Sequence, residues 1–422
     1  MSIIAKKYYS GFPKAHDTYN AISAASDGKI YYVLSSDSIE EGGKMYAFDP
    51  GAGKPALIGD LTEICGEENG KAVPQGKSHV RFHEAGGKLY FSTHVGYYQL
   101  IDGMDRMPVT TPDGYELYPG GHILSYDLEK GLFERLATLP DKEGMVSMTM
   151  DRDRLQIYGI TWPTGQFVHF DVRTGQLKNL GRISGKGEAG TPGEDFRTLC
   201  RSLVVDPRDG TVYFSVAEGD ILSYHPERGS IEKLEDVDLR LDYFGKYDPT
   251  RPGSMGYNWR KIFWYPEENA AYGVHGNSGY LFRFDPRGRK VEIVERITSL
   301  PSRKSGMFDQ FSYGYLGFIL GPDGETIYYL TGSPLYENGR RIKGASEIAK
   351  GAAKGLENLH LVTFHLPSGT YTDHGAIVYE DSSIPTYVNS IAIGPDNRIY
   401  TLARFENDGR IIEDLVAFAN PV

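Results

Sequence analysis

The chain has 422 residues and a formal net charge of −11, spread along its length without acidic or basic blocks, which argues against the basic face that nucleic acid requires. Its 51 Gly and 30 Tyr, with few long apolar runs, favour many short strands joined by tight turns. No stretch approaches the roughly 18–20 apolar residues that span a bilayer, so no membrane partner is expected.

The first residues, Met1-Ser2-Ile3-Ile4-Ala5-Lys6-Lys7-Tyr8, lack the basic start and apolar core of a secretion leader. A cytoplasmic location is expected from the chain as written, and a periplasmic or secreted one if a leader has been removed. Residues 3–9 read as a spare strand with no unit of its own. From there one pattern recurs. An apolar strand passes through a turn into a second strand built on an apolar-Tyr pair. In chain order the pair appears at Ile30-Tyr31, Leu89-Tyr90, Ile157-Tyr158, Val212-Tyr213, Ala271-Tyr272, Ile327-Tyr328 and Ile399-Tyr400. Each copy is followed by an aromatic residue, usually with Asp or His after it: Phe48-Asp49, Tyr126-Asp127, Phe170-Asp171, Tyr224-His225, Phe284-Asp285, Phe364-His365 and Phe418-Ala419. After six of them comes a fourth short strand, such as Leu177-Lys178-Asn179-Leu180.

Four strands in each of seven units predict an all-β chain, a seven-bladed β-propeller forming a single domain over residues 1–422. A ring of six or eight blades is the alternative. The last unit stops after its third strand, so the N-terminal strand is expected to close the last blade and cover its edge. Cys65 and Cys200 match no metal spacing and read as buried free thiols.

Strand a of each blade lines the central channel, and its start shares one face with the end of strand b. Four residues after the repeat tyrosine, at the end of strand b, stand Ser35, His94, Trp162, Ala217, Gly276, Gly332 and Arg404. His275 sits one residue earlier in its unit. Eleven residues before the tyrosine, near the start of strand a, stand Asn20, His79, Ser147, Ser202, Lys261, Gly317 and Asn389, with Arg201 and Arg260 one step earlier. These slots are mostly polar where the strand interiors are apolar or small, so ionisable side chains converge on one mouth. The two long insertions, about Val95–Gly121 and Gly332–Asn358, fall on the same face.

His79 and His94 lie one hairpin apart in blade two, and Tyr97, Tyr98, Tyr257, Tyr313 and Tyr387 crowd the same level. The repeat tyrosines are assigned to structure. Asp49, Asp127, Asp171 and Asp285 recur by blade and read as turn formers. His122, His169, His225, His360, His365 and His374 fall on outer strands or their turns. His83 is expected to point away from a channel faced by His79 and Arg81. There is no His-Glu-x-x-His, no Gly-rich phosphate loop and no Gly-x-Ser-x-Gly elbow.

A propeller with His at the start of strand a (Ser78-His79-Val80-Arg81) and again at the end of strand b (Tyr90-Phe91-Ser92-Thr93-His94) resembles the propeller-type polysaccharide lyases, which include the ulvan lyases and oligogalacturonate lyase. The resemblance implies β-elimination at a uronic acid residue of an acidic oligo- or polysaccharide. It makes His79 or His94 the base, Arg201 and Arg260 the clamp on the uronate carboxylate, and Tyr98 or Tyr257 the acid. Arg81, Trp162, Asn258, His275, Asn277, Asn389 and Arg404 would bind the sugar. Oligogalacturonate lyase uses a His-and-Gln manganese site with a His-x-His that this sequence lacks, so no cofactor is expected. The one arrangement for a divalent metal would be His79, His94 and His275 sharing it. Two other readings are open: a non-catalytic propeller binding a glycan or a protein, and a metal-dependent lactonase-type hydrolase.

Overall fold

The computed structural model describes all residues except 1, 17, 69, 245–246, 251–254, 276–277, 306–316, 335, 338–339, 342–356 and 386–387. The first repeat unit is a sheet of four consecutive antiparallel strands: Ile22–Ala24, Ile30–Leu34, Lys44–Asp49 and Lys54–Asp60. Units two to five repeat that order, beginning at His83–Ala85, Gly144–Asp151, Val204–Val205 and Trp259–Tyr265. The sixth unit starts at Phe318–Leu320 and the seventh at Ala392–Ile393, and they join in one eight-stranded sheet. The chain is therefore an all-β, seven-bladed propeller, as the repeat predicts.

Both repeated phrases have a local cause. In three units the tyrosine of strand b reaches back to a carboxylate in the a–b turn four residues earlier. Tyr31 donates to Asp27 at 2.9 Å, Tyr272 to Glu268 at 2.9 Å and Tyr400 to Asp396 at 2.7 Å. The aspartate ending strand c caps the c–d turn: Asp49 accepts from Gly51 N at 2.8 Å, Asp171 from Arg173 N at 2.8 Å and Asp285 from Gly288 N at 2.8 Å. Neighbouring blades pack through the apolar side chains between these polar ends, as where Phe167 stacks on Phe214 with centroids 4.9 Å apart.

Closure uses the N-terminal strand. Ile3–Lys7 pairs antiparallel with Arg410–Ala419 of blade seven and parallel with Thr370–Tyr379 of blade six. It thus supplies the missing outer strand and covers two sheet edges together. Two adjacent carboxylates then hold the chain beyond it. Asp414 accepts from Ser10 N at 2.7 Å and Ser10 Oγ at 2.6 Å, and Glu413 accepts from Thr18 N at 2.5 Å. Among the described residues no helix is long and apolar enough to cross a membrane.

Burial pushes the Asp414 carboxyl up to about 7, against the hydrogen bonds from Ser10 and Leu415 that favour its charged form. Between the unfolded value near 4 and this one, the folded state binds the extra proton, so stability falls as pH rises through that window. Urea unfolding of the wild type should therefore lose on the order of 2–4 kcal/mol relative to Asp414→Asn between pH 4 and pH 7. Parallel pH profiles for the two proteins would show that Asp414 does not titrate there.

Candidate functional site

The mouth is organised by the hairpin of blade two. Lys77 N donates to His94 O at 2.9 Å and His94 N to Lys77 O at 2.8 Å, so the approach to strand a is zipped to the end of strand b. Just beyond, two glycines let three chain segments touch. A Cβ on Gly96 would sit 1.9 Å from Ser36 O, and one on Gly76 2.5 Å from the Gly96 Cα.

This zipper sets the rings of His79 and His94 with centroids 4.3 Å apart. His79 also stacks on Tyr19 at 4.3 Å. His94 is 1 % exposed, and its Nδ1 lies 2.7 Å from Val95 O. A carbonyl can only accept, so Nδ1 carries the proton and Nε2 the lone pair. The Nε2 atoms of both His79 and His94 are buried and meet no hydrogen-bond partner among the described residues. By contrast, the buried His122 and His169 are satisfied at both nitrogens: His122 by Glu67 and Thr138, His169 by Gln156 and Tyr224. An unmet buried donor or acceptor costs about 1–3 kcal/mol, so two side by side are a cost to the fold.

Burial, with His94 and the Lys77, Arg201 and Arg260 cations adding to it, holds the His79 imidazole well below its ordinary range. Burial, joined by Lys77 and Arg201, pushes His94 down to about 3. Both rings are neutral at pH 7. The buried Lys77 ammonium lies 4.8 Å from the Tyr98 ring centre and 5.3 Å from that of Tyr19. The Trp162 ring stands 5.2 Å from His94 and 5.5 Å from Tyr98, whose hydroxyl donates to Val95 O.

Glu188, in the connection between blades three and four, ties these parts together. It accepts from Trp162 Nε1 at 2.9 Å, Arg201 Nη2 at 2.6 Å and Leu199 N at 3.1 Å. The long insertion of blade two braces it, since Arg106 donates to the carbonyls of Glu188 and Gly190. Lys77, Tyr19 and Glu188 escape a reading of slots because they lie in connections, where no repeat marks a position.

Below the pair, a cavity of about 590 Å³ runs down the axis from Asn20 and His79 to Asp153 and Pro266. Arg81 and Lys261 line it, and a β-bulge at Arg260 breaks the alternation of its strand. His83 lines it too, which corrects the expectation that it faces away. Residues 79, 81 and 83 share one parity, and alternate side chains of a strand share a face. Burial, with Arg81, Arg152 and Lys261 nearby, pushes His83 down to about 3.

The other expected residues have varied settings. Arg260 is 7 % exposed, acts electrostatically on His79 and Lys261, and donates to the Met255 sulfur. Tyr257 is half-buried against Gly219. Asn389 is buried, with its amide nitrogen 3.4 Å from Thr18 O. Arg404 pairs with Glu413 at 2.8 Å. Asn258 and His275 depart from the sugar-binding expectation, because internal bonds occupy them. Asn258 accepts from Ser215 and donates to Thr198 O, while His275 is bonded to Ser278 and Gly256 O and stacked on Phe244. His275 therefore does not share a site with His79 and His94, and no three His, Cys, Asp or Glu among the described residues are grouped to hold a metal. Asn277, Tyr313 and Tyr387 lie outside the described residues.

No protein-family profile matches the chain, and no curated protein matches it. Solved structures do. One, a protein from Lactobacillus plantarum, is similar at 13 % identity with a TM-score of 0.52, over 93 % of this chain and 99 % of that one. Another, the β-propeller domain of Cps50 (Swd1) from Myceliophteria thermophila, is similar at 9 % identity with a TM-score of 0.49, over 94 % and 97 % of the two chains. At 13 % identity the likeness to the first is one of fold alone.

A Cβ on Gly144 would lie 2.9 Å from His94 Cγ and Cδ2. Gly144→Ala should therefore cost about 1–3 kcal/mol in urea unfolding and shift the His94 imidazole resonances by NMR. Unchanged His94 resonances in a folded variant would mean that Gly144 does not set the ring.

Proposed function

We propose that the mouth binds a uronic acid residue of an acidic oligo- or polysaccharide and cleaves the glycoside by β-elimination. The observation that carries this reading is the pair of unsatisfied Nε2 atoms on His79 and His94, set among cations and aromatic rings. The C5 proton of a uronate is very weakly acidic, and its removal is feasible only where the carboxylate charge is balanced and the enolate is stabilised in place. Arg260 would supply that balance, with Arg201 contributing whatever its pairing with Glu188 leaves, a guanidinium being able to hold a carboxylate by two bonds.

His79 or His94 then takes the C5 proton at Nε2. The C–H electron pair passes through the enolate into a new C4–C5 double bond, and the C4–oxygen bond breaks. Tyr98 or Tyr257 returns a proton to the departing oxygen. The Tyr98 ring centre stands 6.4 Å from His94. Trp162 and the tyrosines offer faces for sugar rings. A depressed imidazole is a weak base while the mouth is empty, yet part of that depression comes from Lys77, Arg201 and Arg260. A bound carboxylate offsets those charges and raises proton affinity where it is needed.

Ultraviolet absorbance during incubation with a panel of uronate-containing saccharides, with and without chelator, tests the reaction through its unsaturated product. His79→Ala or His94→Ala should lower the rate about 10²- to 10⁴-fold, the range for a positioned base. Full activity in both would remove the pair from the chemistry. Arg260→Lys should slow turnover although the charge is kept, and an unchanged rate would take Arg260 out of the site. Silence across the panel would instead favour a mouth that binds a glycan or protein without cleaving it.

A further inference from the structure

The central cavity carries charge that the mouth chemistry leaves unused. Lys261, 7 % exposed, opens into it from blade five, and Arg81 from blade two. Arg152 lies at the exposed lower rim. Among the described residues none of the three forms an ion pair or hydrogen bond, whereas Arg154 is matched with Asp151 and Arg208 with Asp206. The carboxylates lining the cavity do not serve them. Asp151 is committed to Arg154 at 2.9 Å, and Asp153 is exposed at the rim. A second group points the same way. The Ser147 hydroxyl, on a residue 2 % exposed that lines the cavity, meets no partner among the described residues.

We propose that this cavity is a binding site for a small doubly charged oxyanion, phosphate or sulfate, held by Arg81 and Lys261 with Ser147 as hydroxyl donor and Arg152 at the lower entrance. The cations repel one another when the cavity is empty. Burial and the neighbouring Arg152 bring Arg81 down to about 10, and burial with Arg81 and Arg260 holds Lys261 well below its usual range. An anion among them turns that repulsion into attraction, and two charges offset more of it than chloride can. The two named cations come from facing blades, so they can grip a tetrahedral ion from different sides. The cavity, about 590 Å³, also has room for whatever such a group is attached to. The site lies deeper than the histidine pair and does not depend on the uronate reading.

The test is thermal melting and calorimetric titration of the whole chain with sodium phosphate and sodium sulfate, against sodium chloride at equal ionic strength. Phosphate or sulfate should raise the wild-type melting temperature by several degrees at millimolar concentration, and chloride should not. Lys261→Met and Arg81→Met should each weaken the anion by about ten-fold or more. Lys261→Met should also melt above the wild type in anion-free buffer, because an unpaired buried cation has been removed. Ser147→Ala keeps every charge and should weaken binding several-fold, which covers the case in which a cation variant fails to fold. Equal stabilisation by chloride, or phosphate binding unchanged in all three variants, would overturn the site. A sugar phosphate monoester separates the sources: tighter binding than inorganic phosphate identifies a group carried on a ligand, and weaker binding a free ion. Saccharide cleavage plays no part in these readings, so a failed lyase assay leaves them intact.

Discussion

Seven sheets can share one axis only if the last is tied to the first, and here a single five-residue strand makes the tie. Ile3–Lys7 lies between blades six and seven, with Ala5 only 1 % exposed. The segment leaving this strand belongs to the functional face. Ser10 is held by Asp414, Thr18 by Glu413, and the next residue, Tyr19, stacks on His79. The closure of the ring and the placement of one catalytic candidate are thus consecutive events on one stretch of chain. A loosened seam would be felt first as a displaced Tyr19, and through it as a displaced His79.

The cost of the site is visible against the rest of the molecule. Elsewhere many polar groups are consumed by near neighbours: Tyr31, Tyr272 and Tyr400 by turn carboxylates, the c-strand aspartates by turn amides, and His122 and His169 at both nitrogens. At the mouth and down the axis that economy stops. Two imidazoles keep bare Nε2 atoms, and in the cavity below them Arg81 and Lys261 have no carboxylate partner among the described residues. Such local violations persist only where packing elsewhere over-determines the fold, and the apolar clusters between blades supply that excess.

The sequence carried the architecture because each blade solves the same local problem with the same residues. Tyr31 and Tyr400 could be aligned without knowing that both reach a turn aspartate. The histidine pair was legible for a related reason: slot arithmetic puts His79 and His94 on one face whatever surrounds them. The same arithmetic could not say which polar side chains are already spent. Asn258 and His275 lie beside the slots of the mouth, yet Ser215, Thr198, Ser278 and Gly256 take their bonding capacity, and those partners come from other strands and turns. Glu188 was invisible for the opposite reason, since its place depends on a single turn propped by Arg106 from a neighbouring blade. His83 needed only a parity count.

Net charge is a poor guide to what such a protein attracts. The chain carries −11 overall, yet its mouth and axis gather Lys77, Arg81, Arg201, Arg260 and Lys261. The screening length is about 8 Å at physiological salt, so a ligand at the mouth responds to these cations far more than to carboxylates on the outer strands. Low-dielectric walls concentrate the local field further. The acidic exterior still acts on a long anionic chain, whose distant residues it repels. On the proposed reading, the arrangement suits an anionic group that enters the ring end-on or lies across the mouth alone better than a polyanion lying along the outer surface.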